Sequence, residues 1–248
     1  MSGHSKWATI KRKKAGIDAA RGRVFTQVGK EITVAARVGG GNPDGNPRLR
    51  LAIDKAKSVN MPAENIKRAM QKGTGELPGV MYEEMMFEGY GAGGVAVLVE
   101  SVTDNKNRTV AEIRHFFEKY GGKLGTAGSV ARMFHRKGTI TVPKKYTEDE
   151  IMAVVLDAGA DDMLTDEEYY HVTTSPENFE PVKNALVARK IEIESAEVGM
   201  NPETTIKVEG KETKSVLKLM EALEEHEDVQ NVYSNFDIEE KAMAEYNA

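Results

Sequence analysis

Apolar residues recur at three- and four-residue spacing through the first third of the chain and at a spacing near two beyond it. Val24, Val28, Ile32 and Ala35/Ala36, widened by Phe25, predict a helix over 16–38 that Gly39-Gly40-Gly41 ends. After the loop Asn42-Pro43-Asp44-Gly45, Asn46 is a good N-cap with Pro47 at the first helical position. The helix it opens would bury Leu49, Ile53 and Ala56. Pro62 opens a third helix, with Ile66, Ala69 and Met70 inward and a stop at Gly73. Three short helices make a small bundle.

The segment 73–79 reads as a linker, and strands follow at 82–90 and 95–102 around a turn at Gly91-Ala92-Gly93-Gly94. A helix over 107–120 has Val110, Ile113, Phe116/Phe117 and Tyr120 on one face. A glycine-rich loop over 121–128 then leads to a short strand at 130–134. From Gly138 the order is strand 139–142, helix 148–158, strands 162–164 and 169–173, helix 176–189 and strand 191–198. That is βαββαβ, the order of a ferredoxin-like domain. A last β-α-β covers 204–208, 211–226 and 229–236.

The middle domain has one clear helix of its own, which would leave its sheet half covered. The fold class is therefore α+β with three domains: a basic helical bundle over 1–78, a discontinuous domain over 79–135 plus 204–240, and a ferredoxin-like domain over 136–203 inserted into it. Two consecutive independent domains are the alternative.

Charge sharpens this division. The net charge is −5, yet residues 1–75 hold 16 Lys and Arg against 5 Asp and Glu, while the remaining 173 hold 18 against 34. Such a split suggests that one end meets a polyanion. Its densest part is Lys6, Lys11, Arg12, Lys13, Lys14, Arg21 and Arg23, with His4 and the only tryptophan, Trp7, inside the same stretch. A positive strip holding a flat aromatic can contact phosphates and stack on a base; the alternative is a solvated basic tail. Arg48, Arg50, Lys67 and Arg68 could extend the strip. Six phosphate contacts to duplex DNA would give a slope of about −5 in log affinity against log salt.

Other motifs carry less. Gly89-Tyr90-Gly91-Ala92-Gly93-Gly94 satisfies the dinucleotide pattern, but a strand follows it instead of the required helix. Gly39-Gly40-Gly41 lacks the Lys-Ser/Thr of a P-loop. The five histidines have no metal-ligand spacing, and there is no cysteine. The acidic runs 148–150 and 166–168 fall at helix starts or turns, with no catalytic motif beside them. Asn105, Lys106, Asn107 and Arg108 join a strand to a helix start. They form either a secondary anion site or a simple cap with its basic residues in solvent. No apolar run approaches the ~20 residues of a membrane span.

The segments Gly3-His4-Ser5-Lys6-Trp7, Gly39-Gly40-Gly41-Asn42-Pro43, Asn46-Pro47-Arg48-Leu49-Arg50, Glu88-Gly89-Tyr90-Gly91, Asp104-Asn105-Lys106-Asn107-Arg108-Thr109 and Gly128-Ser129-Val130 resemble the YebC/PmpR family. Its mitochondrial members are translational activators. The match is ordered over about 2–135 and continues more weakly to the end. Phe87 stands where a tyrosine is common, and Ala92 where the hairpin often has proline. The resemblance implies the same three-domain arrangement and a DNA-binding transcriptional regulator, or alternatively a ribosome-associated factor that relieves stalling, for example at proline runs. Together these readings give a cytoplasmic, non-enzymatic protein without cofactor, metal or membrane. Its expected partner is DNA, or rRNA or tRNA on the ribosome; the oligomeric state is left open.

Overall fold

The computed structural model describes residues 19–239 together with Ala242 and Tyr246, and side chains from Gly22 onward. His4, Lys6, Trp7, Lys11, Arg12, Lys13 and Lys14 lie outside the described residues, as does the side chain of Arg21.

The first three helices are α1 (Ala19–Gly39), α2 (Pro47–Ser58) and α3 (Ala63–Thr74). Val28, Ile32, Ala35 and Ala36 of α1 meet Leu49, Ala52 and Ala56 of α2 and Ile66 and Ala69 of α3 in one core. Asn46 does more than cap α2. Its side-chain oxygen accepts from the Leu49 amide, while its Nδ2 donates to the carbonyls of Ala35 and Gly40, tying the end of α1 to the start of α2. Gly73 lets α3 touch α1. A Cβ there would lie 2.4 Å from the Thr33 carbonyl oxygen and 2.7 Å from the Ala36 Cβ.

Strands β1 (Glu83–Tyr90) and β2 (Ala96–Thr103) form an antiparallel hairpin, paired from Glu83↔Thr103 to Tyr90↔Ala96. Its turn uses Gly93 and Gly94 at φ 68° and 76°, left-handed values that favour glycine. Helix α4 (Lys106–Lys119) and the short β3 (Lys123–Leu124) follow. The chain returns to this domain with β8 (Ile206–Lys207), α7 (Gly210–Glu224), β9 (Val229–Ser234) and β10 (Phe236–Asp237). Strand β9 pairs with β2, giving the sheet order β3-β1-β2-β9. That pairing excludes two consecutive domains. Ile113 and Phe117 of α4 and Val216, Leu217, Met220 and Leu223 of α7 share the core with Phe87, Val97 and Val99.

Between these halves, Arg132–Thr205 forms a compact unit of its own. Its elements are β4 (Phe134–Pro143), α5 (Glu148–Asp157), β5 (Asp162–Thr165), β6 (Tyr169–Thr174), α6 (Phe179–Ala188) and β7 (Ser195–Pro202). All strand pairs are antiparallel, in the order β5-β6-β4-β7. This is the ferredoxin-like arrangement, so the fold is α+β with a helical bundle, an α+β domain and an inserted ferredoxin-like domain.

Three local expectations are corrected. The strand expected at 130–134 is a tight turn over Ala131–Met133, because the amides of Gly128, Val130 and Ala131 are captured by one carboxylate, that of Glu88. Strand β4 starts at Phe134 and runs far beyond the expected 139–142. Its length draws β7 with it, from the expected 191–198 to Ser195–Pro202, paired from Phe134↔Pro202 to Thr141↔Ser195.

Candidate nucleic-acid interface

Helix α1 carries Arg23, Gln27 and Lys30 at three- and four-residue spacing, which places them along one face. That face is bound to the turn between α7 and β9. Arg23 donates to the Glu225 carbonyl at 3.2 Å and to its carboxylate at 3.4 Å. Gln27 Nε2 lies within hydrogen-bond reach of the carbonyls of Glu224, His226 and Val229, at 3.3, 3.2 and 2.9 Å. Lys30 reaches the Asp228 carboxylate and the Glu227 carbonyl.

Asp228 is 1% exposed and is the polar centre of this arrangement. Besides Lys30, it accepts from Thr103 Oγ1 at 3.0 Å, Thr109 Oγ1 at 2.7 Å and Arg108 Nη2 at 2.7 Å. Burial opposes the charge on Asp228. The hydrogen bonds from Lys30, Arg108 and Thr109 outweigh it, so the carboxyl is held far below the ordinary carboxylate value. One buried carboxylate thus joins the bundle to a strand, a helix start and a turn of the α+β domain.

Glu88 does a similar job nearer the hairpin. It is 6% exposed and accepts from the amides of Gly128, Val130 and Ala131 at 2.6, 2.7 and 2.8 Å. Burial pushes its carboxyl up, but the three amides together push harder and hold it low. The segments Glu88-Gly89-Tyr90-Gly91 and Gly128-Ser129-Val130 are therefore two halves of one clamp. Tyr90 completes it by donating to the Ser129 carbonyl at 2.9 Å.

The basic residues singled out in the sequence divide into two groups. Arg48 forms a fork with Glu31 at 2.7 and 3.1 Å and also reaches Glu84 at 2.6 Å. Arg108 is shared by Asp104 and Asp228, and Arg23 is held as above. Arg50 donates to the Pro43 carbonyl at 3.4 Å. These guanidinium groups are engaged inside the fold. Lys67 and Arg68 instead lie exposed on α3, Arg68 beside Glu64 at 3.4 Å. Of the loop candidates, Asn105 caps α4 by accepting from the Arg108 amide, while Lys106 and Asn107 remain exposed.

A cleft of about 360 Å³ opens beside α3, lined among others by Phe25, Asn65, Arg68, Lys72 and Tyr82. Lys30 Nζ lies 5.8 Å from the centre of the Tyr82 ring. Burial first, then the charges of Asp104 and Asp228, raise the Tyr82 phenol above its ordinary value. Lys30, Lys72 and Tyr82 escape sequence reasoning because no local pattern marks them; only helix packing brings them together.

The remaining motifs have structural roles. The 148–150 run starts α5, where Thr147 and Glu150 form a reciprocal capping box. Asp166 accepts from the amides of Glu168 and Tyr169 and faces His171 Nε2 at 2.8 Å. The glycine pattern at 89–94 is the β1–β2 turn, with no helix behind it to hold a pyrophosphate.

The molecule is thus a three-domain α+β protein whose bundle is bolted to its sheet domain by the buried Lys30–Asp228 pair and by more exposed pairs around it, with Arg68 and Lys72 exposed beside a shallow cleft. It belongs to the TACO1/YebC family. The family's N-terminal domain matches residues 5–76, and its second and third domain matches residues 82–236. Among similar chains, one from Geobacter sulfurreducens is 55% identical, with 98% of each chain covered. Another, from Pelotomaculum thermopropionicum, is 55% identical, covering 97% of this chain and all of that one. Both carry the name "Probable transcriptional regulatory protein". The crystal structure of a conserved hypothetical protein from Aquifex aeolicus is 47% identical, with a TM-score of 0.82 over 91% of this chain and 94% of that one.

Proposed function

We propose that this chain is a non-enzymatic, nucleic-acid-binding regulator of gene expression, and that it acts as a DNA-binding transcriptional regulator. The observation that carries this reading is the charge division: 16 basic against 5 acidic residues in the first 75 positions of an otherwise acidic chain. The names of the relatives support it. The footprint we propose is Lys6, Lys11, Arg12, Lys13, Lys14 and Arg21, with Trp7 as the stacking group and Lys67, Arg68 and Lys72 as its extension. Arg23, Arg48 and Arg108 are left out because carboxylates already hold them.

Binding of this kind is led by backbone charge and shape, and it weakens as salt rises. The test is a salt series of binding to promoter duplex, random duplex and purified ribosomes, run with the intact protein and with Lys11, Arg12, Lys13 and Lys14 all changed to alanine. The expected result is a steep salt response to duplex DNA, preference for promoter fragments, and loss of both in the variant. Binding to ribosomes alone would replace the transcriptional reading with one in which ribosomal RNA is the partner. Unchanged association of the variant with every nucleic acid would overturn the proposal.

A further inference from the structure

The acidic part of the chain contains its own basic cleft. It measures about 670 Å³ and is lined by Lys119, Tyr120, Gly121, Gly210, Lys211, Lys214, Ser215 and Lys218. Lys119 comes from the last turn of α4, with its ammonium 5.4 Å from the centre of the Tyr120 ring. Lys211, Lys214 and Lys218 come from α7 at offsets of three and four residues, so they form one stripe. The opposite side of α7 is apolar and buried, through Val216, Leu217, Met220 and Leu223.

This stripe costs stability. Like charges at such spacings on a helix destabilise it by about 0.2–0.5 kcal/mol per pair. Lys211, Lys214 and Lys218 form no ion pair among the described residues. Lys207, a few residues earlier, has both Glu209 and Glu239. The core needs only the buried side of α7, so nothing in the packing requires three lysines on the other.

We propose that this cleft is a second phosphate-binding surface, one that takes the backbone of a nucleic-acid strand. From Lys211 to Lys218 the helix rises ~10 Å, which spans about three phosphates of one strand at ~3.4 Å of duplex axis each. Ammonium groups on flexible stems suit phosphates as point charges and do not require base identity. Tyr120, partly buried, adds an aromatic ring to the lining. The inference rests on the nucleic-acid reading above, but on different residues, so the two fail separately.

The experiment measures binding of the full chain to a single-stranded RNA and to a DNA duplex by fluorescence anisotropy across a salt series. Lys211, Lys214 and Lys218 are changed together to alanine, and in a second variant to arginine. A charge-matched control changes the exposed Arg132, Arg136 and Lys144 to alanine. Loss of three contacts lowers the magnitude of the salt slope by about 2.7 for duplex or ~2.1 for a single strand, and affinity by ~10-fold at low salt. The arginine variant retains both. Whichever probe shows the loss identifies the strand as RNA or DNA. An alanine variant no different from wild type, or an equal loss in the control, overturns the inference. If Lys11, Arg12, Lys13 and Lys14 matter while α7 does not, only this inference fails. If the intact protein binds neither probe, both readings fail.

Discussion

Replacing Asp228 with asparagine removes a charge at the point where bundle and sheet domain meet. Arg108 loses little, because its side chain is 44% exposed and keeps Asp104 at 2.9 Å. Lys30 loses most. Its side chain is 9% exposed, and without the carboxylate it retains no counter-charge, only neutral partners such as the Glu227 carbonyl at 3.2 Å and the Tyr82 ring. An ammonium left buried without its counter-charge costs about 3–5 kcal/mol. The amide Nδ2 of asparagine would also point a donor at donors, either Lys30 or the group of Thr103, Thr109 and Arg108. Asp228→Asn is therefore expected to lower the urea midpoint by an amount equivalent to about 3–5 kcal/mol, and Lys30→Met in that background to recover a good part of it. A loss below about 1 kcal/mol, within the range of an ordinary exposed ion pair, would refute the reasoning. So would a double variant no more stable than Asp228→Asn. The pH response has a fixed sign: the folded carboxyl lies below its unfolded value of about 3.9. Its contribution is complete above that value and disappears as the pH falls below it. The wild type should lose stability on acidification through that window more steeply than Asp228→Asn.

Three more substitutions test single contacts. Glu88→Gln leaves three converging amides with a neutral acceptor and should cost about 1–3 kcal/mol by chemical denaturation; a neutral result would mean the clamp is incidental. Gly73→Ala sets a helix-propensity gain of ~1 kcal/mol against a Cβ 2.4 Å from the Thr33 carbonyl oxygen. Overlap with backbone cannot relax cheaply, so net destabilisation of about 1–3 kcal/mol is expected, and a raised melting temperature would contradict it. Asn46→Asp keeps an equally good helix cap but turns the donor facing Ala35 and Gly40 into an acceptor. A loss of about 1–3 kcal/mol is expected where capping alone predicts none, and unchanged stability would reduce Asn46 to its cap.

The chain by itself determined much of the architecture, for a physical reason. Helix stripes such as Val28-Ile32-Ala35, the end of α1 at Gly39 and the apolar run that opens β2 are local signals, and local sterics and burial read them directly. The order βαββαβ followed, and the return of the last strand could be inferred because one helix leaves a sheet face bare. What tertiary structure alone decided is where the charges go. The same guanidinium and ammonium groups look alike in sequence. Folding assigns Arg48 to Glu31 and Lys30 to Asp228, across separations that no pattern records, and leaves Lys67, Lys72, Lys211, Lys214 and Lys218 facing solvent. The distinction between a cation that holds the fold together and one left to meet a partner is made by long-range proximity, a property of the packed chain and not of any stretch within it.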